Sequence, residues 1–118
     1  MVGDSEYVAH LLELMQTLGP VEARRMFGGH GLFIDGLMFG LVAEAELYLK
    51  VDADTVSSYR DQGLEAFSYM RGGKRCALNY YQAPELIFED QQQMRIWGNR
   101  AFEVALRAAA SKRKAAKK

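Results

Sequence analysis

The chain has 118 residues, 49% of them hydrophobic, with 15 basic and 15 acidic side chains, the length and composition of one soluble globular domain. A chain of this size buries about 65% of its unfolded surface, enough for one apolar core and too little for separate catalytic and cofactor domains. The neutral total conceals an asymmetry: residues 111–118, SKRKAAKK, hold Lys112, Arg113, Lys114, Lys117 and Lys118 and no acid, leaving 10 basic against 15 acidic residues over 1–110. The expected organisation is therefore one folded domain, 1–110, followed by a basic flexible tail, 111–118. No apolar run is long enough to span a bilayer, and Met1-Val2-Gly3-Asp4-Ser5-Glu6 lacks the basic flank and apolar stretch of a signal peptide, so the expected location is the cytoplasm, with no membrane partner.

From Asp4 or Ser5 the apolar residues Tyr7, Val8, Leu11, Leu12, Met15 and Leu18 recur at three- and four-residue steps, the stripe of an amphipathic helix. Gly19-Pro20 ends it. The period then changes. Leu32-Phe33-Ile34, Leu37 through Ala43 and Glu46 through Val51 read as three strands, joined first by Asp35-Gly36, a pair that tolerates the positive φ of a two-residue type I′ turn. The third strand alternates Leu47, Leu49 and Val51 against Tyr48 and Lys50, so one sheet face is buried and the other partly wet. Asp52 or Asp54 can cap a short helix to about Gln62. A second hairpin follows, Phe67 to Met70 and Arg75 to Tyr81 flanking Arg71-Gly72-Gly73-Lys74, with Cys76, Leu78 and Tyr80 sharing the core-facing side of its last strand. The final helix starts at Asp90 with Gln93 at capping-box spacing and carries Met94, Trp97, Ala101, Phe102, Ala105 and Leu106 on one stripe. The order is α-β(3)-α-β(2)-α, an α+β fold in which helices cover one face of an antiparallel five-stranded sheet.

The motifs of catalysis are not met. Gly28-Gly29-His30-Gly31 is the most glycine-dense stretch, but a dinucleotide fingerprint from Gly29 would place Ile34 at its third glycine, and hairpins follow instead of a crossover. Gly73-Lys74-Arg75 lacks the Ser or Thr of a phosphate loop. His30, Ser68 and Cys76 have no identifiable partners for a nucleophilic site, and His10 points off the apolar stripe of the first helix. One cysteine and two histidines cannot make a tetrahedral zinc set. The expectation is no catalytic residues, no metal and no cofactor. The aromatic residues Phe27, Phe33, Phe39, Tyr48, Phe67, Tyr69, Tyr80 and Tyr81 read mainly as core, because a nucleic-acid stacking platform would sit in a more basic surface.

At residues 24–52 the run RRMFGGHGLFIDGLMFGLVAEAELYLKVD closely resembles the N-terminal domain of the TfoX/Sxy family, regulators of competence-specific genes. The pattern continues through Phe67-Ser68-Tyr69, Leu78-Asn79-Tyr80-Tyr81-Gln82-Ala83-Pro84, Asp90 and Trp97 with Ala101, and so covers about residues 7–106. The resemblance implies a fold similar to secretion chaperones. It also implies a role in transcriptional regulation of DNA-uptake competence, alongside an activator of the cyclic-AMP receptor type, and supplies no catalytic residues. Full-length members carry a second, helical domain, so the expectation here is a stand-alone form of the first domain. Glu44-Ala45 departs from the Asp-Gly-like turn often found in the family.

Two working readings follow. The first is a non-enzymatic regulatory or adaptor domain that binds a protein partner, with the transcription machinery as the target the resemblance suggests. Its candidate contacts are Arg24, Arg25 and Phe27, the first two being the most concentrated basic pair of the body. The second is direct nucleic-acid binding through Lys112, Arg113, Lys114, Lys117 and Lys118, for which log affinity would fall with log salt at a slope of about −4.5 if all five met phosphates. A two-fold homodimer is expected if sheet edges or an apolar sheet face stand open.

Overall fold

A computed structural model describes residues 4–26 and 28–116. Helix α1 (Asp4–Leu14) gives way to a 3₁₀ turn at Gln16–Leu18 and is followed by strands β1 (Glu22–Met26), β2 (Gly29–Ile34), β3 (Leu37–Ala43) and β4 (Glu46–Lys50). Helix α2 (Val56–Arg60), strands β5 (Ala66–Arg71) and β6 (Lys74–Gln82), a 3₁₀ turn at Glu85–Phe88 and the long helix α3 (Gln91–Ala116) complete the chain. The strands form one antiparallel sheet in the order β1-β2-β3-β4-β6-β5.

The α+β architecture stands as expected, but the sheet has six strands and not five. The extra one is β1, EARRM, which has no apolar alternation to announce it and whose residues are exposed or half-buried throughout. It is held by pairing with β2, Glu22 opposite Phe33 through Met26 opposite Gly29. Such an edge strand is specified by its neighbour's free backbone groups more than by its own side chains.

Turn chemistry sets the meander. Asp35 and Gly36 both take positive φ, 51° and 76°, as a type I′ turn requires, and Gly72 and Gly73 repeat the geometry between β5 and β6. Glu44 and Ala45 adopt it too, at 51° and 57°, although neither is a glycine. A register shift between Leu32 and Phe33 marks a bulge that lets both Phe39 and Gly40 of β3 serve the core face.

Helices and both 3₁₀ turns contribute to a single core on one face of the sheet. Leu32, Ile34, Phe39, Val42, Leu47, Leu49 and Val51 meet Val8, Leu11 and Met15 from the start of the chain and Met94, Trp97, Ala101 and Ala105 from α3. Tyr59 of α2 stands edge-on to Trp97 at 4.9 Å, and Phe102 edge-on to Phe39 at 6.5 Å. Val104 is also buried, whereas Leu106, placed on the apolar stripe by periodicity, is 43% exposed. Gly98 lies where α3 crosses Leu18, whose methyl groups occupy the space a side chain would need.

Caps fix where the helices begin. Before α2, the Asp52 carboxylate accepts from the amides of Asp54 and Thr55 while the Thr55 hydroxyl accepts from the Asp52 amide, a reciprocal box. At α3 the expected box stays half-made: Asp90 accepts from the Gln92 amide, but the Gln93 side chain accepts from the Trp97 indole one turn on. Helix α3 continues through Ala116, so the backbone of 111–116 extends the helix.

Candidate interaction surface

Strand alternation and pairing divide the sheet into two faces. On the face away from the helices, Phe33, Leu41, Tyr48 and Lys50 of the first sheet half lie beside Phe67, Tyr69, Cys76, Leu78 and Tyr80 of the second. Although Lys50 and Tyr80 line a cleft with Ala105, Ala108, Ala109 and Lys112 where the end of α3 passes the sheet, none of the hydrophobic residues of this face belongs to the helical core cluster. Their rings cover one another instead: Tyr48 meets Phe67 edge-on at 5.1 Å, and Phe67 stacks on Tyr69 at 6.3 Å. Leu41 is nearly inaccessible beneath this layer, while Tyr69 is 38% exposed.

Two cations lie on that layer. The Arg24 guanidinium stands 4.6 Å from the centre of Phe33, and the Lys50 ammonium 5.0 Å from that of Tyr80. Burial, and next the charge of Lys112, pushes the Lys50 ammonium below its ordinary pKa, and burial pushes the Tyr80 phenol up to about 12. The acids are concentrated around Tyr48. Its hydroxyl donates to Glu46 at 3.3 Å, and Glu46 also accepts from the Gln82 amide at 2.8 Å. Burial, then Glu46, Glu44 and Glu65 raise the Tyr48 pKa, so the field over this part of the face is negative.

Alternation along β1 separates the two expected contact residues. Arg24, opposite Gly31, lies on the aromatic face and reaches Glu22 at 3.5 Å with both side chains well exposed, a pair of little energetic weight. Arg25, opposite His30, lies on the other face, where with Ser5, Met26, Gly28, Gly29 and His30 it lines a shallow cleft. Phe27, the third expected contact, lies outside the described residues. In this cleft the His30 Nδ1 is buried without a hydrogen-bond partner among the described residues, and a Cβ at Gly29 would overlap the Val42 carbonyl oxygen. Gly29 therefore serves close backbone approach, whereas Gly28 has open space around it and takes a positive φ of 75°.

At the other end of the molecule Arg107 of α3 clasps Asp52 through Nε at 3.0 Å and Nη2 at 2.8 Å. Desolvation pushes the Asp52 carboxyl up, but hydrogen bonding and charge from Arg107, with the amides of Thr55 and Asp54, outweigh it and hold the group below the usual carboxylate range. Lys112 and Arg113 are exposed on the last turns of α3. Lys114 is helical in its backbone, its side chain outside what is described, and Lys117 and Lys118 lie outside the described residues. Among the described residues no three His, Cys, Asp or Glu side chains gather as a metal site, and no helix is long and apolar enough to cross a membrane.

Comparison with known sequences decides the lineage: the family of TfoX N-terminal domains matches residues 13–105. The chain belongs to that family. It is 27% identical to the protein Sxy of Escherichia coli (strain K12) over 95 residues, which are 80% of this chain and 46% of that protein. It is 31% identical to the DNA transformation protein TfoX1 of Aliivibrio fischeri over 84 residues, 68% of this chain and 40% of that protein. This TfoX N-terminal domain thus spans less than half the length of each of these relatives. The match contains all six strands and both cations of the aromatic face. Sequence reasoning placed most of these aromatics in the core. Tyr48 alternating with Leu47 and Leu49 was the available signal for a second populated face, but alternation does not say whether a helix covers it.

Proposed function

We propose that this domain is a non-enzymatic regulatory adaptor of the cytoplasm, acting by contact with a protein partner through the open aromatic face of its sheet. The observation that carries the reading is that face itself: Tyr48, Phe67 and Tyr69 in mutual ring contact, flanked by Phe33 under Arg24 and Tyr80 under Lys50, all outside the helical core cluster. Rigid rings with a polar edge supply contact area at low entropic cost, and arginine adds directional pairing. The negative field around Tyr48 favours a protein with basic residues over a nucleic acid. Membership beside Sxy and a DNA transformation protein supports a regulatory role with DNA-uptake competence as its setting; the transcription machinery is the partner class this reading assigns.

The second reading, nucleic-acid binding by the end of α3, draws support from Lys112, close enough to Lys50 to depress its pKa. Fluorescence anisotropy of labelled duplex DNA separates the two readings, measured with the full chain and with residues 1–110 at low and near-physiological salt. The adaptor reading expects no saturable binding at physiological salt. Binding that survives truncation would place a nucleic-acid surface on the folded body and sink it. Partner capture with Arg24→Ala and Tyr69→Ala should then lose a protein that the parent chain retains, with thermal stability unchanged.

A further inference from the structure

The sheet ends in two unlike edges. Edge β1 is charged at Glu22, Arg24 and Arg25, a common protection against pairing with another chain. Edge β5 reads AFSYMR, with Tyr69 38% and Met70 62% exposed and its only charge at the last position. We propose that β5 pairs antiparallel with β5 of a second copy of this chain, about a two-fold axis at Ser68, joining two sheets into one of twelve strands.

The backbone restricts the register. The Glu65 carbonyl accepts from the Gln82 amide, and Arg71 closes the two-residue turn opposite Lys74, so the main-chain groups of both residues point at β6. Alternation then turns the groups of Ala66, Ser68 and Met70 outward, and these three can bond a second copy. In the centred register Ser68 faces the partner's Ser68, Ala66 the partner's Met70, Phe67 the partner's Tyr69, and Glu65 the partner's Arg71. Symmetry makes each unlike pair occur twice. A slip of two residues either way sets Glu65 opposite Gly73 or Tyr69 and loses both ion pairs, so charge selects the centred register. Glu65 and Arg71 are both exposed.

Side chains on both faces agree. The Phe67 and Tyr69 rings, stacked within one copy, would meet the partner's Tyr69 and Phe67 side by side, a block of four rings about the axis. On the opposite face Met70 would cross to the partner's Ala66, which lines a cleft with Val56, Ala77 and Tyr81. This inference stands apart from the adaptor reading, since self-association is measured without any other partner.

Sedimentation equilibrium of the full chain, to about 1 mM, tests it. The expected result is reversible monomer–dimer behaviour. Ser68→Pro removes an outward amide at an edge position that tolerates proline and should give monomer with unchanged circular dichroism. Glu65→Arg should raise the dissociation constant roughly tenfold by setting like charges opposite at both ends. The double exchange Glu65→Arg with Arg71→Glu should return it to within about twofold of the parent. A parent chain monomeric over the whole range, a Ser68→Pro variant that still dimerises, or a double exchange that fails to restore association would each overturn the proposal.

Discussion

Ala45 and Tyr59 show how much a single position can be asked to carry. Ala45 sits at φ 57°, a left-handed conformation in which Cβ crowds the following carbonyl, a strain of about 1–2 kcal/mol that glycine does not feel. Ala45→Gly should therefore raise stability by about 1 kcal/mol, the gain being reduced by the freer unfolded chain; urea unfolding reads the shift in midpoint. Tyr59 is 1% exposed and its hydroxyl has no hydrogen-bond partner among the described residues. Removing that hydroxyl loses no bond, so Tyr59→Phe should leave stability unchanged or raise it by up to about 1 kcal/mol. Tyr59→Ala empties the space beside Trp97 and Tyr81 and should cost about 3–5 kcal/mol. A Tyr59→Phe variant as damaged as Tyr59→Ala would show that the hydroxyl has a partner of its own.

Among the elements, α2 depends most on one side chain, because its five residues cannot sustain a helix alone. Asp52 caps it and ties it to α3 through Arg107. Asp52→Ala should lower stability by about 1–2 kcal/mol in thermal unfolding. The folded-state pKa of Asp52 is depressed, so its stabilisation is fully present above its ordinary value of 3.8 and is lost as pH falls through the lower folded value. The stability gap between the parent and Asp52→Asn should thus be constant above about pH 5 and close below it; a gap that widens on acidification would contradict the ion pair. Gly29 tests β2 against β3: Gly29→Ala meets the Val42 carbonyl, a backbone atom with no rotamer to move, and should destabilise by about 1–3 kcal/mol.

For the molecule as a whole, the sheet has one face under helices and one under its own aromatics, and alkaline titration probes both. Burial raises Tyr59 far above the ordinary tyrosine value of 10.0 on the helical side and Tyr80 to about 12 on the aromatic side. Both phenols ionise more readily when unfolded. Their contribution is full below pH 10.0 and is lost as pH rises through the folded values. Tyrosinate absorbance from these two residues should consequently appear together with loss of the fold. Tyr80 ionising reversibly in intact protein near pH 10 would mean that the aromatic layer admits water.

The helices, the two glycine-bearing turns of the meander and most of the core residues were legible in the sequence, because a 3.6- or 2-residue period and a positive φ are local demands. Leu11, Leu49 and Trp97 announced their burial by spacing alone. Strand β1 did not, since an edge strand is fixed by the free backbone groups of β2. Nor did the separation of Arg24 from Arg25 onto opposite faces, which depends on β1 being extended. The aromatic layer was half legible: alternation marked Tyr48 as facing away from Leu47 and Leu49, but which face the helices cover is a long-range outcome of how α1 and α3 fold back across the sheet. The outward row of amides at β5 lay beyond the sequence for the same reason, as an edge exists only once every other strand has found its neighbour.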